Sequence, residues 1–190
     1  MELDTYPASA EAFLLVTGVG IPNALASMLK AAAHHNPDLI LNIGIAGAYP
    51  NSGLQVGDLV MGTSEVYGDI GFELPLEPCF QPVRESNFGD WYREPITLYT
   101  GWPGPILKSG RGCTVNSCTG TLATGQLRER FFEAAFETME GAAVAQAGLS
   151  FNIPVCEIRA ISNIAAVRDM RPENIQLALL NLKEYLQCQS

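Results

Sequence analysis

The stretch ETMEGAAVA, residues 137–145, places the carboxylate of Glu140 directly before a run of glycine and small apolar residues. Such a run packs against its neighbours in a folded protein, and a buried carboxylate without a partner is costly or takes up a proton. At the start of a helix, Glu140 would meet free backbone N–H groups and a favourable helix dipole. Alternatively, its two oxygens can accept two hydrogen bonds at once, which suits a vicinal diol such as that of a ribose. Spacing alone leaves both interpretations open.

Two further segments place glycines or polar residues at the end of a strand-like run. NIGIAG, residues 42–47, lacks the third glycine of a dinucleotide-binding turn and the Lys-Ser/Thr pair of a P-loop. It is therefore either a weak phosphate-binding signal or a tight strand-to-turn connection. RAISN, residues 159–163, ends in Ser162 and Asn163, which favour turns but also suit a ligand-facing strand end.

The histidines and cysteines form no recognisable metal or disulfide pattern. The five cysteines include no C-x-x-C pair, and their number is odd. His34 and His35 are adjacent, so on a helix their side chains would diverge by about 100° and could not chelate one ion. We interpret them as the last turn of a helix that Asn36 caps and Pro37 terminates. The sequence therefore predicts no metal site and no cofactor.

Composition excludes several classes of protein. The chain has 190 residues, of which 47% are hydrophobic and 16% charged, so a sizeable core is expected rather than disorder. The net charge of −9 argues against nucleic acid or an anionic membrane as the main partner. Its apolar runs are all shorter than the roughly 18–20 residues of a membrane helix. The first residues lack the basic and apolar regions of a signal peptide, so we expect a cytoplasmic protein.

Hydrophobic periodicity predicts strands that alternate with helices. Strands are predicted at residues 12–18, 38–47, 56–62, 113–117, 135–139 and 155–162. Helices are predicted at residues 21–35, 122–134, 140–150 and 172–187. Residues 73–112, rich in proline and aromatic residues, are predicted to be a long irregular loop that covers a ligand. Nearly continuous apolar strands between helices predict an α/β fold, with a sheet covered on both faces, in a single domain over 1–190.

In this order, the segments resemble the purine nucleoside phosphorylase and nucleosidase superfamily. The resemblance covers residues 12–187, and its most specific parts are MEGAAVA and RAISN. Within the superfamily the chain most resembles the futalosine hydrolases, nucleosidases of a menaquinone biosynthesis route. The resemblance implies a three-layer fold in which a twisted mixed sheet, partly closed into a barrel, is flanked by helices. It also implies a homo-oligomer whose small-molecule partners are a purine nucleoside and water.

Roles for individual residues follow from the same resemblance. Met139 would pack on the sugar, Glu140 would bind the ribose hydroxyl groups, and Asn163 would act on the purine at N7 as the catalytic residue. The loop that faces the sugar and the attacking group would contain Ile45, Ala46 and Gly47. Candidate contacts to the base are Val115, Asn116 and Ser117, and a weaker candidate, near the irregular loop, is Asp69.

Three positions predict the type of reaction and the purine base of the substrate. Bacterial phosphorylases of the superfamily hold phosphate with an arginine and a hydroxyl residue where this chain has Asn42 and Ile45. An anion would be poorly held there, so water is the expected nucleophile and hydrolysis the expected reaction. The carbonyl of Asn163 can accept from N7–H while its NH₂ donates to O6, which favours hypoxanthine over adenine. The predicted reaction releases hypoxanthine and dehypoxanthine futalosine from futalosine.

The water-activating base is not assigned. Members of the superfamily carry it as a glutamate on a loop after an opening strand, and Glu2 and Glu11 lie too close to residues 12–18 to match. Three alternatives therefore remain open. They are a 6-oxopurine nucleoside phosphorylase, a methylthioadenosine/S-adenosylhomocysteine nucleosidase, and a non-catalytic nucleoside-binding module.

Overall fold

A mixed β-sheet forms the centre of the fold. The computed structural model describes residues 12–76, 80–85, 94–167, 169 and 171–188. The strands are β1 (Ile40–Ala48), β2 (Leu59–Tyr67), β3 (Gly71–Glu73), β4 (Phe80–Pro82), β5 (Ile96–Thr97), β6 (Lys108–Thr114), β7 (Phe136–Thr138) and β8 (Val155–Ile164). The helices are α1 (Ile21–His35), α2 (Leu122–Phe132), α3 (Gly141–Phe151) and α4 (Pro172–Gln187), and a single 3₁₀ turn covers Val83–Glu85.

The sheet closes on itself. Its strand order is β5-β2-β6-β7-β1-β8, and β2 also pairs with β8. Parallel pairs join β1 to β8, β2 to β6 and β6 to β7, whereas β1–β7, β2–β5 and β2–β8 are antiparallel. The separate hairpin of β3 and β4 lies outside this sheet. The predicted α/β fold, with a twisted mixed sheet between helices, is therefore confirmed.

Helices cover the sheet on two sides. Small residues of α3 pack with α1, where Ala24 and Met28 meet Ala142 and Ala145. On the other side, α4 packs against alternate residues of β8 in a cluster that also contains Leu41, Ile43 and Ile45 of β1. Within the described ranges, no helix has both the length and the apolar composition that crossing a bilayer requires.

The predicted helices match the structure closely. The helix predicted at residues 172–187 has those bounds, because Pro172 suits a first turn and the apolar stripe continues to the end. The helix predicted at residues 21–35 also has those bounds. It ends where Asn36 takes a left-handed conformation with φ of 43° and donates its N–H to the carbonyl of Ala32. The strands predicted at residues 38–47, 56–62, 135–139 and 155–162 correspond to β1, β2, β7 and β8.

The prediction of a strand at residues 12–18 is wrong. This segment is irregular, and Phe13 and Val16 are 62% and 51% exposed. A strand needs a neighbour whose backbone can accept and donate hydrogen bonds, and no described strand lies alongside this segment. Leu15 instead packs against the α1–α3 cluster.

The prediction of one irregular loop over residues 73–112 is wrong in part. Strands β4 and β5 and the first residues of β6 fall inside it. The strand predicted at residues 113–117 accordingly begins at Lys108 and ends at Thr114. Its opening sequence KSGRG has little strand character, but Gly112 leaves room for the side chain of Glu65 on β2. Residues 77–79 and 86–93 of the predicted loop lie outside the described residues.

Candidate active site

One elongated cavity of about 970 Å³ follows an edge of β1. Strand β1 pairs with β8 along its length on one side, but with β7 only at Gly47 and Ala48 on the other. Among the described residues, nothing pairs with the rest of that second edge, and it lines the cavity together with residues 12–19. The cavity also reaches the ends of β7 and β8, where polar side chains converge.

A β-bulge directs Asn163 at the cavity. The register of β1 on β8 shifts between Ala46 and Gly47, so that Gly47 lies opposite Asn163. Bulges of this kind re-aim side chains and occur often beside active sites. The Oδ1 atom of Asn163 accepts from the Ser162 hydroxyl at 2.9 Å, and its Nδ2 donates to the carbonyl of Ile164 at 3.3 Å. One lone pair and one N–H of the amide remain for a ligand.

The carboxylate of Glu140 does not cap the helix that it precedes. Glu140 occupies the N-cap position of α3, but its side chain makes no capping hydrogen bond. The free N–H of Ala142 donates instead to the hydroxyl of Thr114 on β6 at 2.7 Å. Glu140 accepts through Oε1 from the N–H of Gly20, just before α1, at 2.8 Å. Its second oxygen has no hydrogen-bond partner among the described residues, so it is available to a ligand in the cavity.

A buried charge network lies on the α3 side of the sheet. Arg159 on β8 donates through Nε to Oε1 of Glu157 at 2.8 Å, and the Asn42 amide donates to the same oxygen at 3.0 Å. Glu65 on β2 accepts from the Thr114 hydroxyl at 2.8 Å. Burial, with the adjacent charge of Glu157, raises the pKa of the Glu65 carboxyl well above its ordinary value. Its surroundings therefore disfavour the charged form of Glu65, whereas Glu157 forms an ion pair with Arg159 at 2.8 Å.

Arg159 connects this network to the cavity. Its side chain is 4% exposed, lines the cavity, and interacts electrostatically with Glu140 as well as Glu157. The Nη2 atom has no hydrogen-bond partner among the described residues. Gly44 on β1 makes room for the guanidinium, since a Cβ at that position would meet its Nη1 atom. Arg159 belongs to the RAISN motif but was not among the predicted site residues.

Glu137 is a second carboxylate that lines the cavity. It is 5% exposed and accepts from the backbone N–H of Thr119 at 2.9 Å and from the Thr119 hydroxyl at 2.6 Å. The guanidinium of Arg128 on α2 lies 3.5 Å from its Oε2 atom. The alternation of side chains along β7 was the available signal, because it puts residue 137 on the same side as Met139. Sequence reasoning did not assign Glu137 a role.

Several predicted site residues line the cavity together. They are Ile45, Ala46, Gly47, Met139, Glu140 and Asn163. The side chain of Ile45 packs toward α4, so it is the strand edge rather than the side chain that faces a ligand. Their roles in binding stay predictions, but the structure gathers them around one space.

The other predicted site residues do not line this cavity. Val115 is fully buried in a separate cluster with Tyr49 and Phe132. Asp69 accepts from the backbone N–H of Asn116 at 2.6 Å and from its side-chain amide at 3.1 Å. Ser117 is exposed, and its backbone carbonyl accepts a hydrogen bond from Arg128. These contacts tie the segment after β6 to its surroundings, and a role in base binding stays a prediction.

Metal ligands are not clustered in the part of the chain that the structure describes. No group of three or more His, Cys, Asp or Glu side chains there could hold an ion. The polar groups that line the cavity include the carboxylates of Glu137 and Glu140, the amides of Asn42 and Asn163, and the guanidinium of Arg159.

Comparisons with known proteins place the chain in a family. The family model described as "Phosphorylase superfamily" matches residues 5–91. The futalosine hydrolase of Thermus thermophilus is 33% identical over 160 residues, which cover 82% of this chain and 70% of that protein. The 5′-methylthioadenosine/S-adenosylhomocysteine nucleosidase of Staphylococcus saprophyticus is 32% identical over 164 residues, covering 82% and 69%.

Solved structures show the same fold. The 5′-methylthioadenosine/S-adenosylhomocysteine nucleosidase of Neisseria meningitidis, in complex with methylthio-immucillin-A, superposes with a TM-score of 0.69 at 21% identity. The match covers 90% of this chain and 77% of that one. The closed mixed sheet, the cavity at its edge and these relatives together show that the chain belongs to the phosphorylase superfamily, in which it is one of the nucleosidases.

Proposed function

We propose that this nucleosidase hydrolyses the N-glycosidic bond of a 6-oxopurine nucleoside, with futalosine as the best candidate substrate. The products would be hypoxanthine and dehypoxanthine futalosine. The observation that carries the proposal is the presence of the Asn163 amide and the Glu140 carboxylate in the lining of the same cavity. The first suits a purine that bears an oxygen at C6, and the second suits a ribose diol.

The sugar would bind at the start of α3. Glu140 is held in place by the N–H of Gly20 and keeps one oxygen free, so it can accept from both hydroxyl groups of the ribose. Met139 lines the cavity next to it and would supply an apolar surface for the sugar ring. The Glu140 carboxylate also places negative charge beside a sugar that becomes cationic as the bond to the base lengthens.

The base would bind at the end of β8. As an amide, Asn163 can accept from N7–H with its carbonyl and donate to O6 with its NH₂. Ser162 and Ile164 already use one lone pair and one N–H of this amide and so fix its orientation. Stabilising N7–H helps the departing base, because the purine gains a proton there as it leaves. Adenine has an amino group in place of O6, and this pairing would fail with it.

Charges around the cavity favour water over phosphate as the nucleophile. Among the described lining residues, Arg159 carries the only fixed positive charge, and Glu157 is already paired with it. Glu137 and Glu140 line the same space, so a phosphate dianion would meet two carboxylates. A neutral water avoids that repulsion, which supports hydrolysis.

The similarity to a futalosine hydrolase supports the proposed substrate, and the similarity to a methylthioadenosine/S-adenosylhomocysteine nucleosidase makes that activity the second candidate. The amide at Asn163 supports the first candidate, because it suits a 6-oxopurine better than adenine.

The direct test is to incubate the purified protein with futalosine, inosine and methylthioadenosine, with and without inorganic phosphate. Release of hypoxanthine from futalosine at the same rate in both buffers is the expected result. Release that requires phosphate would identify a phosphorylase, and release of adenine alone would identify the second candidate. Binding of futalosine without any release would indicate a nucleoside-binding module and would contradict the proposal.

We also infer a homo-oligomer, since the superfamily that the chain resembles forms dimers and larger rings. Light scattering on the purified protein at several concentrations should give a mass that is a multiple of the 20.5 kDa chain. A mass equal to one chain at all concentrations would contradict this inference.

A further inference from the structure

We propose that Glu137 determines base specificity by accepting a hydrogen bond from N1–H of a 6-oxopurine. This inference rests on the proposed function and deepens it, because Asn163 alone addresses only the N7 and O6 positions. It assigns a role in substrate recognition to a carboxylate that the sequence pattern left unexplained.

The position of Glu137 supports this role. Gly47 separates it from Asn163, since a Cβ built on Gly47 would lie 3.1 Å from Asn163 Nδ2 and 3.4 Å from Glu137 Cγ. Gly47 on β1 pairs with Glu137 on β7 at one edge and with Asn163 on β8 at the other, and both polar side chains line the cavity. Around a purine, N7, O6 and N1 follow one another along the same edge. Neighbouring side chains are needed to read them together.

The hydrogen bonds of Glu137 prepare it to accept one more donor. Thr119 donates to each carboxylate oxygen once, and Arg128 lies 3.5 Å from one of them. A carboxylate oxygen can accept about two hydrogen bonds, so capacity remains on the side of the cavity. Held by two residues and 5% exposed, the side chain is also fixed in one orientation before a ligand arrives.

The chemistry of the two purine classes then gives discrimination. In hypoxanthine N1 carries a hydrogen and donates, whereas in adenine N1 carries a lone pair. A carboxylate can only accept, so it attracts the first and repels the second. A site built to pair with a donor rejects an analogue that lacks it, because its buried polar group is left unsatisfied.

The test is the Glu137→Gln variant, assayed with inosine and adenosine, which share one sugar. Glutamine has nearly the same shape, but it can donate to the adenine N1 through its amide. We expect the ratio of kcat/KM for inosine to that for adenosine to fall by about 10²-fold. If Glu137 only holds the Thr119 loop, both substrates would suffer equally, and an unchanged ratio would overturn the proposal.

The half-buried Glu129 on α2 provides a matched control, because it is also a glutamate that accepts from a backbone N–H, that of Asn51. Glu129→Gln should leave the ratio unchanged. The unmodified protein gives a second measurement that needs no variant. It should cleave 1-methylinosine about 10²-fold less efficiently than inosine, because the methyl group removes the N1 donor. Equal cleavage of the two would contradict the proposal.

Calorimetry separates this inference from the proposed function. The dissociation constants of hypoxanthine and adenine can be measured even if no nucleoside is hydrolysed. The intact protein should prefer hypoxanthine, and Glu137→Gln should shift that preference toward adenine. Absence of hydrolysis with this shift present contradicts only the proposed reaction. Hydrolysis of inosine without the shift contradicts only the role of Glu137.

Discussion

Two buried carboxylates of the same sheet, Glu137 and Glu65, have nearly equal exposure and opposite surroundings. Glu137 accepts two hydrogen bonds from Thr119 and lies near a guanidinium. Glu65 faces the carboxylate of Glu157, accepts from one hydroxyl, and keeps an unpartnered oxygen. Donors make the first a ready hydrogen-bond acceptor, whereas burial together with a second carboxylate raises the pKa of the other. Burial by itself therefore does not reveal what a carboxylate does.

Location adds to this difference. Glu137 lines the cavity, while Glu65 packs beneath α3, where Cβ atoms on Gly112 or Gly141 would collide with it. The buried network contacts the cavity through Arg159. The cavity carboxylates should therefore affect catalysis, and the buried ones stability. Four substitutions test that division.

The largest effect is expected for Arg159→Met. Removing the guanidinium leaves Glu157 as an unpaired buried charge, which destabilises proteins by about 3–5 kcal/mol. Urea unfolding at neutral pH would measure the decrease in the free energy of unfolding. The control is Lys108→Met, which breaks an exposed ion pair with Asp58 and should cost about 1 kcal/mol or less. Equal losses in the two variants would show that the buried network has no special role in stability.

Glu140→Gln should act on turnover rather than on folding. We expect kcat/KM for the nucleoside to fall by about 10²-fold, because the charge beside the developing cationic sugar is lost. The melting temperature should change little, since the side chain does not cap α3. A large loss of stability with normal turnover would indicate that Glu140 has a structural role instead of a catalytic one.

Glu65→Gln should change how stability depends on pH. The folded-state pKa of Glu65 is raised above its ordinary value of 4.5, so the folded protein holds this proton more tightly than the unfolded chain. The stability that this proton contributes is fully present below the ordinary pKa. It is lost as the pH rises toward the folded-state pKa, by up to about 1.4 kcal/mol per pH unit. Glutamine cannot titrate. Urea unfolding between pH 5 and 8 should show a flatter profile for the variant, and parallel profiles would contradict the raised pKa.

The smallest effect is expected for Thr121→Ala. Its hydroxyl accepts from the N–H of Thr124 and caps α2, the helix that carries Arg128 toward Glu137. Loss of the cap should reduce the free energy of unfolding by about 1 kcal/mol. Because Thr121 contacts neither cavity carboxylate, the preference for inosine over adenosine should stay the same. A changed preference would mean that the position of α2 affects which purine base the site binds.

Local sequence determined most of the helices. Asn36 ends α1 and Pro172 begins α4 at the predicted residues, because caps and prolines act on the few residues around them. The structure places the predicted residues Glu140 and Asn163 in the lining of one cavity, although spacing alone could not choose between capping and binding for Glu140. The tertiary structure decided this, since Thr114 on a distant strand supplies the competing hydrogen bond.

Contacts between distant parts of the chain decided the rest. Residues 12–18 have the composition of a strand, but no described strand lies alongside them, and Lys108–Gly112 lacks that composition yet pairs with β2. The bulge that directs Asn163 depends on the register of two strands more than a hundred residues apart. Glu137 and Glu65 have the same side chain, but Thr119 donates two hydrogen bonds to the first, while burial and the nearby Glu157 raise the pKa of the second. Sequence thus determined most helices and the chemical groups available, while packing determined which segments pair as strands and where the polar side chains point.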